Sequence, residues 1–176
     1  MKIIKKIIIG ILALLVLLLV MALFIPNDYT VSVSETINQP KSVVFDYVKK
    51  IKNQEKYSVW VMQDPNVVMN YQGTDGTVGF KASWNSKDDN VGEGSQQITA
   101  VSDNRIDVDL HFERPMKGDD KAATFVEAIS ENQTKVTNEF YGHADYPINL
   151  LSVIGKKFVT DAQTQNLANL KKILEK

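Results

Sequence analysis

The chain has 176 residues, 44% of them hydrophobic and 23% charged, enough for one domain of ordinary size and too few for two independent cores. Lys2, Lys5 and Lys6 are the only charges before Asp28, so residues 27–176 hold 17 basic against 21 acidic side chains, a balance that argues against nucleic acid as a partner because phosphate binding needs a basic patch. The absence of cysteine excludes disulfides, thiolate nucleophiles, Cys-ligated zinc, iron–sulfur clusters and a lipidated cysteine anchor.

Ile7 to Ile25 is an uncharged run of Ile, Leu, Val, Ala, Met and Phe broken only by Gly10. As a helix it reaches roughly 28 Å, close to the hydrocarbon thickness of a bilayer. The competing reading is a signal peptide cleaved before Leu23, with Val20 and Ala22 as the small residues of the site. The run is longer than the roughly 7–15 apolar residues of a signal peptide and continues through Leu23, Phe24 and Ile25, which favours an uncleaved anchor over 1–26. The lysines before it place the N-terminus in the cytoplasm and residues 27–176 outside the cell membrane.

Residues 29–37 alternate Val31, Val33 and Ile37 with Thr30, Ser32, Ser34 and Thr36, which predicts a strand interrupted on its apolar face by Glu35. Pro40 suits a first helical turn, and Val44, Tyr47, Val48 and Ile51 recur at helical spacing, predicting a helix over about 40–50. The aromatic stretch 53–64 reads as a short helix or loop ended by Asp64-Pro65. Strands follow at about 67–72, 78–86, 93–102, 104–114, 121–130 and 134–143, with glycines at the bends. The clearest alternates Ile106, Val108, Leu110 and Phe112 with Asp107, Asp109, His111 and Glu113, one face buried and one wet. After Pro147, Leu151, Ile154, Phe158, Ala162, Leu167, Leu170 and Leu174 mark a helix of up to 28 residues, long enough to cross a whole sheet.

One strand, one or two helices, six antiparallel strands and a long last helix describe a curved sheet around a terminal helix. The residues that carry a resemblance are Ile37-Asn38-Gln39-Pro40 with Val43, Val44, Phe45 and Val48; Tyr57-Ser58-Val59-Trp60 before Asp64-Pro65; Gly76-Thr77-Val78-Gly79 leading to Trp84; Gly92-Glu93-Gly94; and the closing Leu167-Ala168-Asn169-Leu170-Lys171. Over about 29–175 the chain resembles the START/polyketide-cyclase/aromatase (SRPBCC) superfamily in its small bacterial branch. The resemblance implies an α+β helix-grip fold, β-α-α-β6-α, behind the N-terminal helix. These are framework positions and none is a catalytic signature.

A strongly curved sheet gripping one helix can leave a gap between them, and the resemblance implies its use as a site for a lipid or other hydrophobic small molecule. The candidate lining is Phe80 and Trp84; Ile98; Val108, Leu110 and Phe112; Phe125; Val136, Asn138 and Phe140; and, from the last helix, Leu151, Ile154 and Phe158. A solid core is the plainer alternative, because any sheet buries alternating aromatic residues. Asn138 between Val136 and Phe140 tips the balance, since a buried amide must find a partner.

Sites for chemistry are sparse. His111 shares the wet face of Asp107, Asp109 and Glu113, where a solvated surface is the simpler reading; His143, near a strand end with Asp145, is the one candidate acid–base pair at a cavity mouth. There is no phosphate loop, nucleophile elbow, zinc-protease motif or calcium loop. No cofactor, metal or catalytic residue is assigned. The expected function is a membrane-tethered module that binds a hydrophobic small molecule, more a binder than an enzyme; the alternatives are a polyketide cyclase or dehydratase and an envelope interaction domain without ligand.

Overall fold

The computed structural model describes residues 2–176. The apolar N-terminal run forms helix α1, Lys2–Ala22, and among the described residues it is the one helix long and apolar enough to cross a membrane. Strand β1 (Asp28–Ile37) leads into α2 (Lys41–Val48), a short 3-10 turn (Ile51–Lys56) and α3 (Val59–Gln63). Six strands follow, β2 (Val68–Gln72), β3 (Lys81–Asn85), β4 (Glu93–Val101), β5 (Arg105–Arg114), β6 (Gly118–Ser130) and β7 (Gln133–His143). A 3-10 turn (Ile148–Leu151) then opens α4 (Ser152–Leu174).

The seven strands form one antiparallel sheet in the order β1-β7-β6-β5-β4-β3-β2. It curves around α4 in the α+β helix-grip arrangement expected from the element order. The core lies between the sheet's concave face and the helices, where Ile37, Val44, Phe80, Ile98, Val126, Val136, Leu167 and Leu170 are buried. Glu35 breaks the apolar alternation of β1 because it meets Lys171 of α4 at 2.8 Å, an ion pair that holds its carboxyl below the ordinary glutamate range.

The last helix starts later than the periodicity predicts and turns a different stripe inward. Its buried residues are Ser152, Ala162, Asn166, Leu167 and Leu170, whereas Leu151, Ile154 and Phe158 are 53%, 73% and 60% exposed. Two apolar stripes share this helix, and spacing alone cannot say which one meets the sheet. The 3-10 turn before Ser152 sets the phase, because it buries Asn149 against the end of α1. There the Asn149 Nδ2 group donates to the carbonyl oxygens of Ala22 at 2.8 Å and Ile25 at 2.7 Å, with Asn27 Oδ1 at 3.2 Å. Carbonyls at a helix end have no partner within the helix; here the folded domain supplies one, so the end of α1 is built into it.

Strand register places several features at one end of the sheet. Asp28 opposes His143, Phe112 opposes Gly118, and Asn85 opposes Glu93. The start of β1, the end of β7, the β5–β6 turn and the β3–β4 turn therefore lie together, beside the end of α1.

Candidate functional site

A cavity of about 480 Å³ lies between the concave face and the helices. Its apolar wall comes from Trp84 of β3, Val108, Leu110 and Phe112 of β5, Ala122 of β6 and Phe140 of β7. Trp60 and Val61 of α3 and Phe158 and Val159 of α4 close the helical side. Inward residues of a strand fall two apart, which is why the Val108–Leu110–Phe112 alternation reaches the cavity as one row.

Two glycines shape the wall. Trp84 pairs with Gly94, which pairs in turn with Phe112, and a Cβ on Gly94 would stand 2.6 Å from the Trp84 ring and 2.4 Å from the His111 carbonyl. The missing side chain lets the indole lie across β4, edge-on to Phe112 at 5.9 Å, while its Nε1–H donates to the Val91 carbonyl at 3.2 Å. Gly92 has φ +67°, and a Cβ there would meet the Arg114 carbonyl at 2.1 Å, so the Gly92-Glu93-Gly94 turn is fixed by close approach as well as by conformation.

The amides of the lining are bonded in couples or to the backbone. Asn138 accepts from the Thr124 hydroxyl at 3.0 Å and donates to Gln163 Oε1 at 2.9 Å. Gln96 donates to Gln54 Oε1 at 2.7 Å, and Asn166 Oδ1 accepts the Val59 backbone N–H at 2.7 Å. These bonds use the oxygens of Gln54 and Gln163, leaving their NH2 groups as donors for a carbonyl or hydroxyl oxygen of a bound molecule. The acidic members of the lining are engaged elsewhere: Glu139 accepts from the Tyr141 hydroxyl, and Asp89 faces Arg114 at 3.4 Å.

Arg114 staples the rim. It reaches Glu93 at 3.2 Å, Asn85 Oδ1 at 3.0 Å and the Ser86 carbonyl at 2.8 Å, binding the β3–β4 turn to the end of β5. The exposed members of the lining, Phe158, Asp89, Asn90 and Pro115, mark the mouth. It opens between the first half of α4 and the two turns stapled by Arg114.

Of the residues proposed from sequence, Trp84, Val108, Leu110, Phe112, Asn138, Phe140 and Phe158 line this cavity. Phe80 and Ile98 sit instead in the closed core, each 1% exposed, with Tyr71 stacked on Phe80 at 6.0 Å. Val136, opposite Val126, is likewise fully buried core. Phe125 lies on the other face of β6, under the Arg105 guanidinium at 4.5 Å, because Ala122, Thr124 and Val126 take the inward positions. Leu151 and Ile154 point to the surface. Gln54, Gln96, Gln163 and Asn166 were missed. Gln96 is in phase with Gly94 and Ile98, and the last two lie on the Ala162–Leu167–Leu170 stripe, a signal that was present in the spacing.

Both histidines lie outside the cavity lining. His111 stands between Asp119 at 2.6 Å and Glu113 at 3.0 Å, and those carboxylates raise its pKa. Lys117 and His111 hold the Glu113 carboxyl at about 2. His143 pairs with Asp28 at 2.6 Å and, as its sequence position suggested, with Asp145 at 3.2 Å; its pKa is also raised, first by Asp28. This pair sits at the β1–β7 edge and not at the mouth. Among the described residues no group of three or more His, Asp or Glu side chains converges as a metal site.

The sequence matches no family model and no curated protein. Solved structures share its fold. A Chromobacterium violaceum protein superposes with TM-score 0.60 at 14% identity, over 84% of this chain and 97% of that one. Norcoclaurine synthase from Thalictrum flavum, in complex with dopamine and hydroxybenzaldehyde, gives 0.61 at 8% identity, over 83% and 86%. A protein of the dynemicin biosynthetic locus gives 0.59 at 12% identity, over 83% of this chain and 47% of that one. At such identities the likeness is one of fold, the helix grip shared by the Bet v 1-like and polyketide-biosynthesis proteins.

Proposed function

We propose that residues 27–176 form a membrane-tethered binding module whose cavity holds a lipid or other hydrophobic small molecule, with residues 1–26 as the anchor. The observation that carries this reading is the cavity itself: about 480 Å³ of space with aromatic and aliphatic walls and amides bonded in couples. Small-molecule sites typically occupy roughly 300–1,000 Å³ and combine apolar walls with a few oriented polar groups. Norcoclaurine synthase, which shares the fold, forms a complex with dopamine and hydroxybenzaldehyde. Asn149, by capping carbonyls at the end of α1, supports retention of that helix as part of the mature protein. A tether in turn suits such a ligand, because an apolar molecule partitions into the bilayer and a bound receptor samples it at high effective concentration.

A cyclase or dehydratase needs a proton donor or acceptor within hydrogen-bond reach of its substrate. The interior offers amides and the hydroxyls of Tyr57, Ser58 and Thr124, burial pushes the Tyr57 phenol up and away from ready ionisation, and both histidines lie on the outer surface, which favours binding over catalysis. The test is to purify the full chain, extract what it carries, identify it by mass spectrometry, and titrate the protein in nanodiscs with an apolar carbonyl-bearing probe while following the fluorescence of Trp60 and Trp84, both in the cavity wall. A copurifying apolar molecule and saturable quenching are expected. An empty extract together with no probe binding would leave the domain as an interaction module.

A further inference from the structure

We propose that the segment 148–158, the turn before α4 and its first half, lies in the interfacial layer of the bilayer that holds α1, so that the cavity mouth faces lipid. The inference rests on the tether reading and adds a second contact with the membrane.

The geometry is set by Asn149. Its bonds to the Ala22 and Ile25 carbonyls put it at the end of the apolar run, which is where a helix spanning roughly 28 Å must leave the hydrocarbon. Residues 148–158 therefore begin at that boundary. In this segment Ile148, Leu151, Val153, Ile154 and Phe158 are all more than half exposed. A monomeric soluble protein rarely leaves a large contiguous apolar patch to water, and among the described residues no element covers it. Met116, at the tip of the β5–β6 turn, is 62% exposed at the same end of the sheet. Among the described residues the far end shows by contrast scattered apolar side chains, Val43, Val78 and Ile129.

Charge tells how the contact is made. The two lysines of the segment are engaged within the protein, Lys157 with Asp161 at 2.6 Å and Lys156 over the Tyr29 ring at 5.5 Å, and Asp28, Asp145 and Asp119 lie at this end of the sheet. Anionic lipid is not what this surface attracts. Apolar side chains entering the headgroup boundary carry the contact, so zwitterionic bilayers suffice. Phe158 belongs to both the exposed stripe and the cavity lining, which places the mouth where a hydrophobic molecule can pass from lipid to protein without crossing water.

The chain has no cysteine, so single positions can be spin-labelled in the full-length protein. Ile154→Cys and Leu151→Cys report on the segment and Ile129→Cys on the far end, all three being exposed sites. In phosphatidylcholine vesicles, flotation reads the anchor, and oxygen against a water-soluble nickel chelate reads the depth of each label. The expected result is co-flotation of every variant, with labels at 151 and 154 losing access to the chelate while staying open to oxygen, and the label at 129 open to the chelate. Co-flotation with 151 and 154 as open to the chelate as 129 would overturn the docking and leave the tether standing. Labels immobilised and shielded from both relaxants would overturn it in favour of a second copy or another protein on this face. Failure to float would overturn tether and docking together.

Discussion

Replacing Leu167 by Ala and, separately, Phe158 by Ala tests which stripe of α4 meets the sheet. Leu167 is 1% exposed and belongs to the core with Leu170, so its truncation removes a fully buried side chain and is expected to cost about 2–5 kcal/mol. Phe158 is 60% exposed. Fully burying a Phe is worth about 1.5–3 kcal/mol relative to leaving it exposed, and with under half of its surface removed from water its share is about 1 kcal/mol or less. Urea unfolding of the full chain in nanodiscs, followed by tryptophan fluorescence, measures both, and an unchanged m-value shows that the same surface is exposed on unfolding. A Phe158→Ala cost equal to that of Leu167→Ala would refute the helix phase and, with it, the free apolar stripe. The comparison is internal, so errors common to both extrapolations cancel.

The architecture was legible because its signals are local. Alternation from Ile106 to Phe112, glycines at the bends and a proline-free apolar periodicity after Pro147 locate strands and the last helix within a few residues, and inward strand positions then name Trp84, Val108, Leu110, Phe112, Asn138 and Phe140 in the cavity wall. The failures share a physical cause. Strand β6 has apolar residues on both faces, Ala122 and Val126 on one and Ala123 and Phe125 on the other, and Phe125 finds cover from Arg105 instead of from the core. In α4 the inward stripe begins with Ser152 and carries Asn166, whereas the exposed stripe holds Leu151, Ile154 and Phe158. Hydrophobicity ranks the stripes the wrong way round, an inversion that the bilayer docking proposed above would account for. Phe80 and Ile98 show a third limit: alternation identifies the inward face but not where along it the packed core gives way to a cavity.

Three further outcomes follow from the site and its surroundings. Gly94→Ala drives a Cβ into the Trp84 ring and the His111 carbonyl; a loss of about 1–3 kcal/mol and a changed Trp84 emission are expected, and a neutral substitution would show that the indole does not cross β4 there. In an NMR titration both histidines should titrate above 6.5, His111 through Asp119 and Glu113 and His143 through Asp28 and Asp145. A histidine whose pKa is raised on folding adds stability below its unfolded pKa and loses it as pH rises through the folded value, so these contributions fade on the alkaline side; a midpoint at or below 6.5 for either would contradict its ion pair. Asn138→Leu deletes the acceptor of Thr124 and the donor to Gln163, and leaving those partners unpaired is expected to cost about 1–3 kcal/mol. The same change separates a binder from an enzyme: it should shift preference from carbonyl-bearing probes toward plain hydrocarbons in a fluorescence competition. An enzyme using this amide to polarise a carbonyl would instead keep its affinity for apolar molecules and lose turnover. Unchanged preference in the competition would remove the amides from ligand recognition and leave the cavity selecting by shape alone.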